Sequence, residues 1–193
     1  MNYIFDFDGV LADTFEPYVE FIQANFFLSR DMSINLIMKH TLRNDKPKMF
    51  ERMLEKFNME KLEKFLATKP DILFKDRLDQ ILELQGSKCI LSRNYTEFVK
   101  DIMHDYTNIF EPILGFNDAE NKTLGFALLR DTYSIDLQDS VFITDTVGDI
   151  LEAKQFFPEN RIFAVDWGFN TPDQLSEVIL KSQIISDLMQ ITF

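Results

Sequence analysis

The sequence has one cysteine, two histidines, one tryptophan, six glycines and six prolines among 193 residues. A single cysteine excludes an intramolecular disulfide and a multi-cysteine zinc site. Cys89 lies in the apolar run CIL, where a thiol packs as a small hydrophobe. Neither His40 nor His104 has the company expected of a metal site or an activated nucleophile. Positive charge is also scarce: 20 Lys and Arg face 32 Asp and Glu, for a formal net charge of −12. That balance opposes general binding to nucleic acid or to an anionic membrane. It would repel a phosphorylated ligand too, so a phosphate site here needs locally placed cations, a metal or backbone N–H groups. The N-terminal MNYIFDFDG has neither a basic start nor a long apolar stretch, so no signal peptide or membrane span is expected and the cytoplasm is the expected location.

Apolar material is plentiful: hydrophobic residues make up 46% of the chain and 20 of its residues are Phe. This is enough for one α/β core with a small inserted module. Five short apolar runs predict buried strands: YIF before Asp6, CIL before Ser92, PILG near 112–115, VFI before Thr144 and RIFAV before Asp166. Helical patterns separate most of them, which predicts an α/β fold with a Rossmann-like parallel sheet of about five strands flanked by helices. Ligands in such sheets bind beyond the C-terminal strand ends. From about Phe15 to Lys69 the pattern is helical only, in FEPYVEFIQANFF, SINLIMKHTLRN, KPKMFERMLEKF and MEKLEKFLATK. Residues 1–13 and 72–193 therefore form the expected core, and 14–71 an inserted all-helical cap. Pro47 suits a first helical turn and Pro70 a return to the core before the helix around DRLDQILELQG. Thr171, Pro172 and Gln174 make a capping box opening a helix through TPDQLSEVILKS, followed by a short helix SDLMQI.

Polar residues at the strand ends carry the chemistry. Asp6 and Asp8 are two apart, so both carboxylates project the same way if the chain stays extended, and Gly9 permits a sharp departure. In VFITDTVGDI, Asp145 and Asp149 are four apart and, if a helix begins there, lie on one side of its first turn. Together with Asp6 they can complete an oxygen-rich magnesium site, although acidic helix capping explains one of them equally well. Ser92 can donate a hydroxyl to a phosphoryl oxygen, and Lys122, at the start of a helix in ENKTLGFALL, can neutralise phosphate and carboxylates alike. A lone serine or lysine would more often be a cap or a solvated side chain; it is their order and setting that single these out. Arg93, beside Ser92, either touches an anionic substrate or is simply exposed, and Trp167 in DWGFN either lies near the site or, the favoured reading, is ordinary aromatic packing.

The four segments DFDGVLAD, ILS, Lys122 and DTVGD, in this order, resemble the motifs of the haloacid dehalogenase-like hydrolase superfamily, with phosphoglycolate-phosphatase-like members that carry a helical cap as the nearest pattern. The resemblance spans nearly the whole chain. It implies a magnesium-dependent phosphatase acting on a small phosphorylated metabolite. Asp6 would be the nucleophile forming an aspartyl-phosphate, and Asp8 the acid that protonates the leaving oxygen and then activates water. Ser92 and Lys122 would hold the phosphoryl group. The implied Mg2+ ligands are Asp6, the Asp8 main-chain carbonyl and Asp145, with Asp149 bound directly or through water. Two positions depart from the pattern: Thr144 stands where the fourth motif usually has glycine, and Val10 where phosphatases commonly have threonine. The alternatives are a phosphosugar mutase, for which Val10 is familiar, and a protein that keeps the fold as a binding module without turnover. A haloacid dehalogenase would not need Asp8.

Overall fold

The computed structural model describes residues 1–42, 61–69 and 71–191. Six strands form one sheet, β1 (Asn2–Phe5), β2 (Ser87–Leu91), β3 (Ile113–Leu114), β4 (Ser140–Thr144), β5 (Ile162–Val165) and β6 (Ile184–Ile185). Their order is β3-β2-β1-β4-β5-β6, and every neighbouring pair runs parallel. This is the expected α/β architecture with one strand more than the five apolar runs predict. The additional strand, β6, is two residues long and pairs with the end of β5. Its brevity gives it no alternating pattern to read.

β1 is central because YIF is apolar on both faces, and Ile4 and Phe5 are fully buried. One side of the sheet packs Phe5, Phe7, Ile90 and Val141 against Val99 and Phe110; the other packs Ile4, Leu91 and Phe142 against Phe126 and Ile150. The helices supplying those faces are α1 (Phe15–Phe26), α3 (Lys75–Glu83), α4 (Thr96–Met103), α5 (Lys122–Asp131), α6 (Val147–Ala153) and α7 (Pro172–Leu175), while α2 (Arg30–Thr41) packs Ile37 with Val19 and Phe169 in a separate cluster. Among the described residues, none is long and apolar enough to cross a membrane.

The segments that leave β1 towards α1 and lead into α3 lie side by side. Asp13 N–H donates to Ile72 O at 2.6 Å and Phe74 N–H to Leu11 O at 2.9 Å. α1 and α2 occupy the predicted positions, and residues 61–66 are helical. The segment KPKMFERMLEKF, with Pro47, and Pro70 and the side chain of His40 lie outside the described residues. α7 is capped as the sequence predicts, with Thr171 and Gln174 forming the reciprocal pair, but it spans four residues instead of continuing through TPDQLSEVILKS. SDLMQI likewise gives only a 3-10 turn, Leu188–Gln190. His104, at φ 34°, ends α4 and opens a 3-10 helix, His104–Ile109, with its ring against Asp105 and 81% of its side chain exposed.

Candidate active site

β1, β2 and β4 end on the same edge of the sheet, and that edge gathers the six acidic, hydroxyl and ammonium residues singled out by sequence. β1 delivers Asp6, whose N–H still donates to Ile143 O at 2.9 Å. The chain then folds back on itself: the N–H groups of Leu11 and Ala12 both donate to Phe7 O, and Gly9 adopts φ +69°. A side chain at Gly9 would place a Cβ 2.0 Å from Asp145 Oδ2, so this turn needs glycine for space as well as for conformation.

Asp6 is 6% exposed and Lys122 1%. Lys122 is the first residue of α5, whose N-cap Asn121 accepts the Leu124 N–H. Its Nζ donates to Asp6 Oδ1 at 2.6 Å and also to Leu91 O, and it lies 3.6 Å from Asp149 Oδ2. Asp6 Oδ1 accepts a second bond from the Phe7 N–H at 2.7 Å. Burial, only partly offset by Lys122, pushes the Asp6 carboxyl well above its ordinary range, and the Asp149 and Asp145 charges add to the rise. Ser92, at the end of β2, is 2% exposed, and its Oγ accepts the Asn94 N–H at 3.0 Å, which leaves the hydroxyl proton to donate.

Asp8 does not join this ion-paired group. Its carboxylate turns to neutral donors, accepting Thr14 Oγ1 at 2.9 Å and Asn94 Nδ2 at 2.8 Å. Burial pushes its carboxyl up to about 6, against the lowering effects of Thr14, Lys122, Asn94 and Tyr18. Two carboxylates two residues apart thereby have different partners, one a buried cation and the other neutral hydroxyl and amide donors. Asn94 and Thr14 were missed in the sequence. Asn94 stood in plain sight two residues beyond Ser92, but nothing local says that its amide crosses 86 positions to Asp8.

Asp145 and Asp149 are arranged differently from the expected shared helical turn. Asp145 precedes α6, and Thr146 is the N-cap, its Oγ1 accepting the Asp149 N–H at 3.3 Å. Asp145 Oδ2 accepts the Phe169 N–H at 2.7 Å, whereas its Oδ1 is buried with no hydrogen-bond partner. Burial raises its carboxyl to about 8; the Phe169 N–H opposes this, and the Asp149 and Asp8 charges reinforce it. Asp149 behaves in the opposite way. Burial would raise it, but Arg93 and then Lys122 outweigh that and hold it well below the usual carboxylate range. Arg93 remains partly exposed, but its Nη2 is engaged, donating to Asp149 Oδ1 at 2.6 Å and to Glu152 Oε1 at 2.9 Å.

Thr144 is a fully buried strand residue paired with Ala164. The close approach to Asp145 is made instead by Gly9 and Gly168, where an added Cβ would lie 2.2 Å from the Asp145 Cβ. The glycine missing from the fourth motif is thus not the one that shapes this pocket. Trp167 packs as expected, with Arg77 over its ring at 4.1 Å and its N–H donating to Val10 O at 3.4 Å. Cys89 is buried, which pushes its thiol up to about 12.

The donor set suits a hard divalent cation. An orphaned buried carboxylate oxygen on Asp145, beside the Asp6 carboxylate, costs free energy that an oxygen-seeking cation removes. Among the described residues no three His, Cys, Asp or Glu side chains are grouped as a complete metal cluster. Magnesium does not require one, because it keeps several waters and binds through one or two carboxylates.

Residues 3–156 match the family model of the haloacid dehalogenase-like hydrolases. None of the curated proteins matches the chain. Among solved structures, it is similar to a candidate haloacid dehalogenase-like hydrolase from Bacteroides fragilis, with 22% identity over 99% of both chains and a TM-score of 0.77. It is also similar to a haloacid dehalogenase-like family hydrolase from Streptococcus pneumoniae, with 18% identity over 92% of this chain and 90% of that one and a TM-score of 0.66. A third likeness is to CbbY from Rhodobacter sphaeroides in complex with xylulose-(1,5)-bisphosphate, with 15% identity over 100% and 99% of the two chains and a TM-score of 0.66. At such identities the structural likeness speaks for the fold.

Proposed function

The chain belongs to the haloacid dehalogenase-like hydrolases, and on that premise we propose that it is a magnesium-dependent phosphatase that hydrolyses a small phosphate monoester through an aspartyl-phosphate on Asp6. The observation that carries this reading is the division of labour between two neighbouring carboxylates. Asp6 is fixed at 2.6 Å from Lys122, while Asp8 sits in a neutral cradle with its carboxyl pushed up to about 6.

In the first half-reaction an Asp6 carboxylate oxygen bonds to phosphorus and the bond to the leaving oxygen breaks. Asp8 passes its proton to that oxygen, so a neutral alcohol departs. In the second, Asp8, now ionised, takes a proton from water as the water oxygen attacks phosphorus, and Asp6 and inorganic phosphate are released. Lys122 and the Ser92 hydroxyl hold the phosphoryl oxygens through both steps. Asp6, Asp145 and the Asp8 main-chain carbonyl would hold Mg2+, which supplies the charge neutralisation that lets a carboxylate approach a phosphate.

Residues 14–71 act as a cap that excludes water and contacts the leaving group. Support comes from the bonds they make around the site. Tyr18 OH lies 3.5 Å from Asn94 Oδ1, Glu63 Oε1 accepts the Tyr95 N–H at 2.7 Å, and Thr41 Oγ1 accepts Asn170 Nδ2 at 2.9 Å. Phe169, whose N–H holds Asp145, stacks edge-on against both Phe15 and Tyr18. The test is phosphate release from a panel of monoesters, with and without magnesium, by wild type and Asp6→Asn. Magnesium-dependent release that vanishes in the variant is expected. Release that survives Asp6→Asn refutes the nucleophile, and isomerised sugar phosphate without free phosphate would identify a mutase instead.

A further inference from the structure

Arg93 is committed to protein carboxylates on one helix. Asp149 and Glu152 are three apart in α6 and so share a face, and a single guanidinium nitrogen of Arg93 bridges them at 2.6 and 2.9 Å. The second Glu152 oxygen reaches a different helix: Oε2 accepts the Thr123 N–H at 3.0 Å and lies 3.2 Å from Thr123 Oγ1. Thr123 follows Lys122 in the first turn of α5, where an acidic group is favoured by the unpaired N–H groups. Arg93 leaves β2, Lys122 opens α5 and Asp149 lies in α6, so one arginine and one glutamate tie together the three elements that meet over Asp6.

The consequence concerns Asp149. Its side chain is 3% exposed, with Oδ1 on Arg93 and Oδ2 3.6 Å from Lys122. Both oxygens already face cations. We propose that Arg93 is a positioning residue that, with Glu152, holds Asp149 away from direct coordination, so that Asp149 meets the metal through water, and that fixes the helix presenting Lys122. This rests on the reading of the site as a divalent-cation site. Arg93 then lowers cation affinity in the free enzyme while keeping Lys122 placed for the phosphoryl group. A site that holds its cation loosely by one carboxylate fewer leaves room for waters and for substrate oxygens.

The experiment is a Mn2+ titration of the full chain, without substrate, followed by electron paramagnetic resonance of free Mn2+, on wild type, Arg93→Met and Glu152→Gln. Removing the guanidinium releases a buried carboxylate to the cation, and Arg93→Met is expected to bind Mn2+ about ten-fold more tightly. Its kcat at saturating metal is expected to fall at least about ten-fold because α6, no longer paired to Arg93, holds Glu152 and through it the first turn of α5 less firmly beside Asp6. Glu152→Gln keeps an acceptor for Thr123 but leaves Arg93 to Asp149 alone, so Mn2+ binding is expected to weaken a few-fold. Arg93→Lys, which keeps the charge but cannot bridge two carboxylates equally well, is expected to lie between wild type and Arg93→Met. A merely structural role would lower kcat and stability together and would not move Mn2+ affinity in opposite directions in the two variants. Equal or weaker Mn2+ binding by Arg93→Met overturns the proposal. If Arg93→Met does not fold, unchanged or tighter binding by Glu152→Gln overturns it. Wild type that binds no Mn2+ overturns the metal reading itself, a result independent of Arg93.

Discussion

Replacing Asp145 with Asn should stabilise the metal-free protein, although it removes a residue of the candidate active site. The ordinary carboxyl value is 3.8, and in the fold this one is raised to about 8, first by burial. A carboxyl held above its unfolded value contributes stability at low pH, and that contribution is lost as pH rises from 3.8 towards 8. Each pH unit in that window costs about 1.36 kcal/mol, which accumulates to about 4 kcal/mol at pH 7. Asparagine carries no such penalty and its oxygen can still accept the Phe169 N–H, but its buried amide costs about 1–3 kcal/mol. The net gain expected at pH 7 is therefore about 1–3 kcal/mol, or roughly 2–4 °C in Tm for each kcal/mol in a chain of this size. Near pH 5, where the wild-type penalty is only about 2 kcal/mol, the gain should disappear; above pH 8 it should level off. Urea unfolding in EDTA at pH 5, 7 and 9 measures this. Added magnesium should then restore the wild type's lead, since a ligand at 100 times its Kd contributes about 2.7 kcal/mol to the state that binds it. A variant less stable than wild type at pH 7 and 9 in EDTA, or a difference that does not change with pH, would refute the account of Asp145 as a buried acid waiting for a cation.

Three further outcomes follow from the same geometry. With Asp8 pushed up to about 6, single-turnover phosphorylation by an alkyl phosphate should slow as pH rises through that value, whereas p-nitrophenyl phosphate, whose leaving group needs no proton, should show little change. Asn94→Ala removes a 2.8 Å bond that favours the ionised Asp8; the alkyl-phosphate limb should move upward by about one pH unit, the equivalent of one hydrogen bond to a charged group. Gly168→Ala would place a Cβ 2.2 Å from that of Asp145, and should cost about 1–3 kcal/mol in urea unfolding and weaken Mn2+ binding by displacing the Asp145 carboxylate.

The elements most visible in the sequence are those whose pattern is local. Five apolar runs ending in polar residues predict β1 to β5, because a buried parallel strand is apolar on both faces wherever it lies in the sheet. Helices α1, α2 and α3 follow from their spacing for the same kind of reason. The misses are segments where few residues carry the pattern. β6 has only Ile184 and Ile185 in the ladder, and the stretch after Leu175 has helical spacing but breaks into turns once the capped first turn is complete.

The chemistry divides along the same line. Sequence alone was sufficient to nominate Asp6, Asp8, Ser92, Lys122, Asp145 and Asp149, since each directly follows or lies just beyond a readable strand or opens a readable helix. Only the tertiary structure set them different tasks. Burial pushes the Asp8 carboxyl up while Asn94 and Thr14 hold it back to about 6, and Asp149 becomes the most firmly ionised of the four acids because Arg93 crosses 56 positions to reach it. Asp145 is buried with one oxygen on the Phe169 N–H and the other unpartnered, and Gly9 and Gly168 pass so close to it that neither could carry a side chain without displacing it. Residue type and spacing fix which groups can arrive at one edge of the sheet. Burial and partners drawn from distant parts of the chain decide which proton or cation each will hold, because the cost of a charge depends on what surrounds it in space.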